Sequence, residues 1–369
     1  MYGADLLRGI AILMVFVYHW HSNTMVPWKG WFRDFSPPAF HWAKWFYPVT
    51  LGWAGVALFF VLSGFCIHLS FLRSPEFTRS RFFWRRFWRI YPAYLVALLV
   101  FCAIKKHPGF AFYFSRPDAW QLISHLLFLH DFSESTFFGI NGAFWSIATE
   151  MQLYLLFPLL LLIREHWGLQ GCLVVTFLVG LLGRAMAVYG WGLPDHCITA
   201  PLTCPLITWF DWTLGAYVAE RFHAGRPAFI RGRIWILVAT PGLFACTLYK
   251  PLFIFAFTLA AILSAVVLDA SVRRVWPRSP WTRGLAFIGL ISYSLYLWHQ
   301  PLIYPVGLLV EKITAWPSLE FSLIFLVLVA GSWISYAFIE QKGIRIGEQL
   351  WTRLTSAERG RLVKNEGST

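Results

Sequence analysis

Charge is what this sequence has least of. Only 13% of its 369 residues are Asp, Glu, Lys or Arg, about half the roughly 25% usual in a soluble domain. That scarcity excludes a water-soluble globule whose helices carry one apolar and one charged face. No polar stretch is long enough to form a separate soluble catalytic domain. Internal repeats and low-complexity tracts are missing as well, which excludes a solenoid or a linker-joined array. The six cysteines have no metal-like spacing, so no metal is expected in the chemistry. Cys197 and Cys204 alone share a short polar stretch, and a disulfide or two free thiols are alternative readings of them. No cleavable signal peptide is recognisable. The first apolar run follows Asp5 and Arg8, lacks a small-residue cleavage site, and reads as a retained first span.

What is present in excess is apolar sequence. Hydrophobic residues make up 58% of the chain, in runs long enough to cross a bilayer. Candidate segments lie near residues 8–26, 49–71, 90–104, 119–131, 144–163, 169–190, 205–221, 234–249, 252–269, 285–310 and 319–339. The net charge of +13 resides in loops and the tail, in RSPEFTRSRFFWRR, RFHAGRPAFIRGR, SVRRVWPRSPWTR and KGIRIGEQLWTRLTSAERGR. Retention on the cytoplasmic side explains such loops, so nucleic acid is not an expected partner and membrane lipid is. Aromatic residues, 19% of the chain, suit interfacial belts and also stacking surfaces for sugars.

All four basic stretches fall on one side only if segment 119–131 does not cross. Its short length and its Asp118, His125, His130 and Asp131 suit a half-buried interfacial or re-entrant helix over a cavity. The expected fold is therefore all-α: a polytopic integral membrane bundle of about ten transmembrane helices plus that short helix. Residues 1–341 form the membrane domain, and residues 342–369 a basic cytoplasmic tail. Both termini lie in the cytoplasm, and the protein is integral to a plasma membrane, the inner one in a bacterium.

Ionisable groups inside spans cost about 2.5–3.5 kcal/mol each at a helix centre, so each asks for a partner or a function. In RGIAILMVFVYHW, Arg8 and His19 are eleven residues apart, which puts them on one helix face about 16 Å apart along the axis. A snorkelling arginine with a carbonyl-satisfied histidine is one reading, and a functional pair is the other. Next, Arg85, Arg86 and Arg89 sit at spacings of three and four, able to hold phosphate or simply to set orientation. Glu150 stands in an otherwise apolar helix, with Gln152 and Tyr154 nearby, and needs a cationic partner or a proton. Ser292, Tyr296 and His299 step along one face of GLISYSLYLWHQP, toward a cavity or a neighbouring helix.

Taken in order, these stretches resemble the membrane-bound acyltransferase 3 family, which O-acylates carbohydrates and other hydroxyl compounds. The family's arginine, ten residues, histidine motif is met by Arg8 and His19. Its phenylalanine-rich serine-glycine motif is met by Phe59, Phe60, Ser63 and Gly64. Arg85, Arg86, Arg89 and Pro92 match its arginine-rich stretch, and Trp145, Ser146, Glu150 and Tyr154 its tryptophan-serine motif. Ser292, Tyr293, Tyr296, His299 and Pro301 match its late motif. The resemblance covers nearly the whole chain.

It implies an acyl-CoA donor, acetyl-CoA by default, and a carbohydrate or glycolipid acceptor. Arg8, Arg73, Arg85, Arg86 and Arg89 would grip the donor. His19 would be the general base, oriented or tuned by Glu150. Tyr296 and His299 would stabilise the thioester oxyanion or position the acceptor. Members often carry an extra span and a periplasmic esterase-like domain. Little sequence follows Glu340 here, so the membrane domain is expected to act alone, and EQKG in place of a basic residue and proline leaves the role of Glu340 open. A transporter of a small polar solute is the rival class, since it too would centre histidines and a glutamate. It lacks support from any inverted repeat or pair of interrupted helices.

Overall fold

The computed structural model describes residues 1–24, 51–74, 77–104, 119–192, 199–228, 232–248, 250–314 and 316–366. Cys197 lies outside them, and with it the Cys197–Cys204 pairing. Among the described residues every regular element is helical. Among the described residues six helices are long and apolar enough to cross a membrane.

The chain opens with α1 (Tyr2–Thr24), α2 (Ala54–Leu72) and α3 (Arg79–Ile104). The short α4 (Ala119–Leu126) and α5 (Glu134–Phe137) follow. At eight residues, α4 rises only about 12 Å and cannot span. None of its residues lines the cavity described below. Instead His125 and His130 stack at 3.9 Å between ring centroids and are buried in the core.

Helix α6 (Phe144–Ala185) is two helices joined at Gly168, which has φ of 65°. Glycine reaches that left-handed geometry without steric cost. The Cys172 thiol points at the Leu160 carbonyl, 3.5 Å away, so the halves double back on each other as the two apolar segments of the sequence require. Next come α7 (Pro205–His223), α8 (Gly232–Leu248) and α9 (Ala256–Arg273). The single segment expected over 285–310 is broken into α10 (Pro280–Leu290) and α11 (Ser292–Val310). Finally α12 (Pro317–Ser335) runs through a π-turn, Tyr336–Glu340, into α13 (Gln341–Glu366).

The closest packing is glycine-mediated. A Cβ on Gly64 of α2 would fall on the Trp212 carbonyl oxygen of α7, and one on Gly215 of α7 on the Val61 carbonyl oxygen of α2. Gly289 of α10 is pressed in the same way against the Asp5 carbonyl oxygen of α1. Small residues at helix crossings let backbones touch, which is the means of packing available where lipid removes the hydrophobic drive. One crossing seats α2 against α7 and the other seats α10 against α1. The tail is also docked: the Trp84 indole of α3 donates to the Gly347 carbonyl of α13 at 2.7 Å, and Arg85 pairs with Glu348 at 2.7 Å.

Candidate active site

Helices α1, α2, α3, α6, α10, α11 and the π-turn leading into α13 enclose a cavity of about 300 Å³. Its basic wall is Arg8, Arg86 and Arg89, and its acidic groups are Asp5, Glu150 and Glu340. The Arg8 guanidinium bonds Asp5 Oδ1 at 2.6 Å with one nitrogen and lies 3.1 Å from Cys66 Sγ with another. Arg86 lies over the rings of Phe82 and Tyr154, 5.9 and 6.0 Å from their centroids. Its Nε is buried without a hydrogen-bond partner among the described residues. A guanidinium in a cavity wall that lacks an ion-pair partner can meet an anion.

A line of side chains crosses to Glu150. The Trp212 indole donates to Ser63 Oγ at 3.3 Å, Ser63 to the Tyr154 oxygen at 3.5 Å, and the Tyr154 hydroxyl to Glu150 at 2.6 Å. Glu340, where α12 gives way to α13, is buried and accepts from Ser294 at 3.0 Å. π-Turns inside helices recur at functional sites, and this one turns Tyr336 and Glu340 into the cavity wall.

The deep end is closed by Tyr296, whose hydroxyl meets Ser146 Oγ at 2.6 Å, with Phe59 set edge-on at 5.9 Å. One turn further along α11, His299 Nε2 lies 3.0 Å from His19 Nδ1. Neither histidine lines the cavity.

The structure thus brings together Arg8, Arg86, Arg89, Glu150 and Tyr296 around one space, and His19 and His299 just past its end. It does not bring Arg73 or Arg85 there. Arg73 caps the end of α2, exposed. Arg85 lines a separate groove of about 50 Å³ with Arg81 and Arg86. Glu150 is bonded to Tyr154, while His19 has His299 as a ring partner, so the expected carboxylate–imidazole couple is replaced by two other pairs. Cys66, Tyr336 and Gln341 join the lining without having been expected there. Only a π-turn, which has no sequence signal, brings the last two in.

Residues 1–337 match the family described as the acyltransferase domain of the acyltransferase 3 type. The chain belongs to the acyltransferase 3 family. It is similar to a protein of Listeria monocytogenes named peptidoglycan O-acetyltransferase OatA, 26% identical over 339 residues, with 81% of this chain and 49% of that protein covered. It is also similar to Nodulation protein 10 of Rhizobium leguminosarum, 25% identical over 335 residues, with 85% and 88% covered. A putative membrane-bound transacylase of Komagataeibacter xylinus, BcsY, is 26% identical over 363 residues, with 92% and 82% covered. The chain therefore spans about half the length of the Listeria relative and most of the other two. No solved structure matches it. The five motifs that carry the family resemblance supply most of the polar cavity wall and the histidine pair behind it.

Proposed function

We propose that this protein is an O-acyltransferase that moves an acyl group, acetyl in the simplest case, from acyl-CoA to a hydroxyl of a carbohydrate or glycan-containing acceptor. The observation that carries the reading is the cavity itself. It is arginine-walled at the end where α1 and α3 begin, has in that wall Arg86 with its buried Nε unpartnered, and ends in hydroxyls one helix turn short of a histidine pair. With the N-terminus in the cytoplasm, its basic end faces the compartment that holds acyl-CoA.

The residues fit such a donor. Phosphate oxygens would take up the donors of Arg86 and Arg89, and Arg8 would help neutralise them. The pantetheine arm carries no charge and suits the passage between Ser63 and Tyr296. In the reaction the acceptor oxygen forms the new C–O bond as its proton moves to His19. The C–S bond breaks, and the departing CoA thiolate takes that proton back as thiol. His19 is then the general base. The Tyr296 hydroxyl, at the closed end of the cavity, is placed to bond the thioester oxygen as negative charge develops on it.

Incubation of the purified protein in lipid nanodiscs with radiolabelled acetyl-CoA and a panel of glycans tests the reading, and transfer of label to a glycan is the expected result. Donor placement has its own readout: bound CoA should shield the Cys66 thiol from maleimide, followed at the Cys66 peptide by mass spectrometry. A folded protein that neither binds CoA nor transfers label would overturn the proposal.

A further inference from the structure

We infer that His299 is a positioning residue: it holds the His19 ring with its hydrogen on Nδ1, so that Nε2 carries the lone pair. Three distances carry this. His19 Nδ1 lies 2.9 Å from the Val15 carbonyl oxygen and 3.0 Å from His299 Nε2, and His299 Nδ1 lies 2.8 Å from the Tyr296 carbonyl oxygen. A carbonyl oxygen only accepts, so each Nδ1 facing one must carry hydrogen. A neutral His299 with hydrogen on Nδ1 has its lone pair on Nε2, and that atom faces the His19 N–H.

The reverse arrangement fails. A hydrogen on His299 Nε2 aimed at a bare His19 Nδ1 would set that nitrogen's lone pair against the Val15 oxygen and leave two acceptors in contact. The ring geometry agrees. The planes cross at 61° with centroids 4.9 Å apart, an edge approach in which an in-plane N–H of one ring can reach the in-plane lone pair of the other. His299 is buried, and Phe16 lies 6.4 Å from it between ring centroids. Its hold on His19 is therefore fixed by packing as well as by the Tyr296 carbonyl.

Two consequences follow. Neutral His299 has given its one N–H to Tyr296, so it has none for an oxyanion, and it acts through His19 rather than on substrate. His19, with two acceptors around Nδ1, is kept in the tautomer a general base needs. This rests on the reading of His19 as the base in the proposed acyl transfer, but the tautomer can be observed without any turnover.

Solid-state NMR of protein labelled with ¹⁵N-histidine in lipid should show His19 with a protonated Nδ1 and a bare Nε2. It should also show a nitrogen–nitrogen cross-peak from that Nδ1 to an unprotonated Nε2 of His299. A His19 protonated at Nε2, or no contact between the rings, overturns the inference whatever the reaction proves to be.

The kinetic arm uses acetyl-CoA with whichever panel glycan the wild type acetylates. His299→Leu removes the acceptor and should lower kcat roughly a hundredfold, the low end for loss of a working base, with the KM for acetyl-CoA held within about threefold. His299→Gln places its side-chain oxygen near the position of Nε2 and should recover most of that loss. An unimpaired Leu variant, or a Gln variant as slow as Leu with CoA binding intact, overturns the positioning role. Failure of the wild type to acetylate any glycan would count against the proposed function alone, because the NMR result stands apart from it.

Discussion

The Tyr154 hydroxyl donates a 2.6 Å hydrogen bond to the Glu150 carboxylate one turn earlier on the same helix, and that carboxylate lines the same cavity as Arg8 and Arg86. Glu150 thus has two separable roles, an acceptor for a buried phenol and a negative charge in a cavity read as an anion site. Glu150→Gln keeps an acceptor and removes the charge, so CoA should bind several-fold more tightly with little change in melting temperature. Glu150→Ala also strands the Tyr154 hydroxyl, at a cost of about 1–3 kcal/mol, and should melt lower. Calorimetry of CoA binding beside detergent-phase thermal denaturation reads both. Weaker CoA binding by the Gln variant would argue against placing the nucleotide in this cavity.

Neighbouring arginines should differ sharply. Arg86 lies in the cavity with a buried, unpartnered Nε, while Arg85 pairs with Glu348 at the surface, the two side chains 47% and 44% exposed. Arg86→Ala should weaken CoA binding by tenfold or more, as expected for loss of a charge-assisted hydrogen bond of about 1.5–3 kcal/mol. Arg85→Ala should change it by less than about fivefold, since exposed ion pairs contribute about 0–1 kcal/mol. Equal losses in the two variants would mean that the donor lies across the surface groove instead.

That contrast shows what could and could not be read before the helices were placed. By spacing alone Arg89 shares a helix face with both Arg86, three before it, and Arg85, four before it. That Arg86 and Arg89 meet the cavity while Arg85, about 100° round the helix from Arg86, pairs with α13 depends on where the tail docks. A hint was present in GIRIG, a small-residue pair at the spacing that lets helices touch, and Gly343 and Gly347 do pack on Trp88. The membrane bundle was legible because apolar length is itself the signal. Glu150 advertised a need for a partner through its cost, and Tyr154 stood at the right spacing to be that partner. His19 was harder. Helix geometry gave its phase relative to Arg8, but not the intervening Tyr296, which reaches across from a helix almost three hundred residues later. Cys66 left no trace at all, being one small apolar-looking side chain in an apolar span.

The contact between α2 and α7 makes a stability prediction. A methyl group at Gly64 would meet the Trp212 backbone oxygen, which cannot rotate away, so Gly64→Ala must push two helices apart. The expected loss is about 1–3 kcal/mol, read as a lower melting temperature and a smaller monodisperse peak on gel filtration. Gly284→Ala is the control. Nothing lies within 4 Å of its added carbon, and alanine favours a helix interior by about 1 kcal/mol, so it should be neutral or stabilising. A Gly64→Ala protein as stable as wild type would show that the α2–α7 crossing has room for a methyl group.

The cluster behind α4, outside the membrane-crossing helices, supplies a pH prediction. Burial pushes the Asp131 carboxyl up from its ordinary 3.8 to about 6, although Gln152 donates to it at 2.8 Å and Thr149 at 3.3 Å. Burial also pushes His125 down from 6.5 to about 4, and it holds His130, stacked upon it, well below its ordinary value. The signs oppose. Between pH 3.8 and 6 folded Asp131 holds more proton than the unfolded chain, so its share of stability falls as pH rises. Between pH 4 and 6.5 folded His125 holds less, so its share grows as pH rises, and His130 adds in the same direction. In the wild type the carboxyl therefore offsets part of the histidine slope. Asp131→Asn removes that offset and keeps an acceptor for Gln152, while Thr149, which also donates to the Trp145 carbonyl, meets an amide N–H in place of its carboxylate oxygen. Melting temperatures measured from pH 4 to pH 6 should climb more steeply in Asp131→Asn than in the wild type. An unchanged or shallower slope would mean that the carboxyl is not desolvated in the native state.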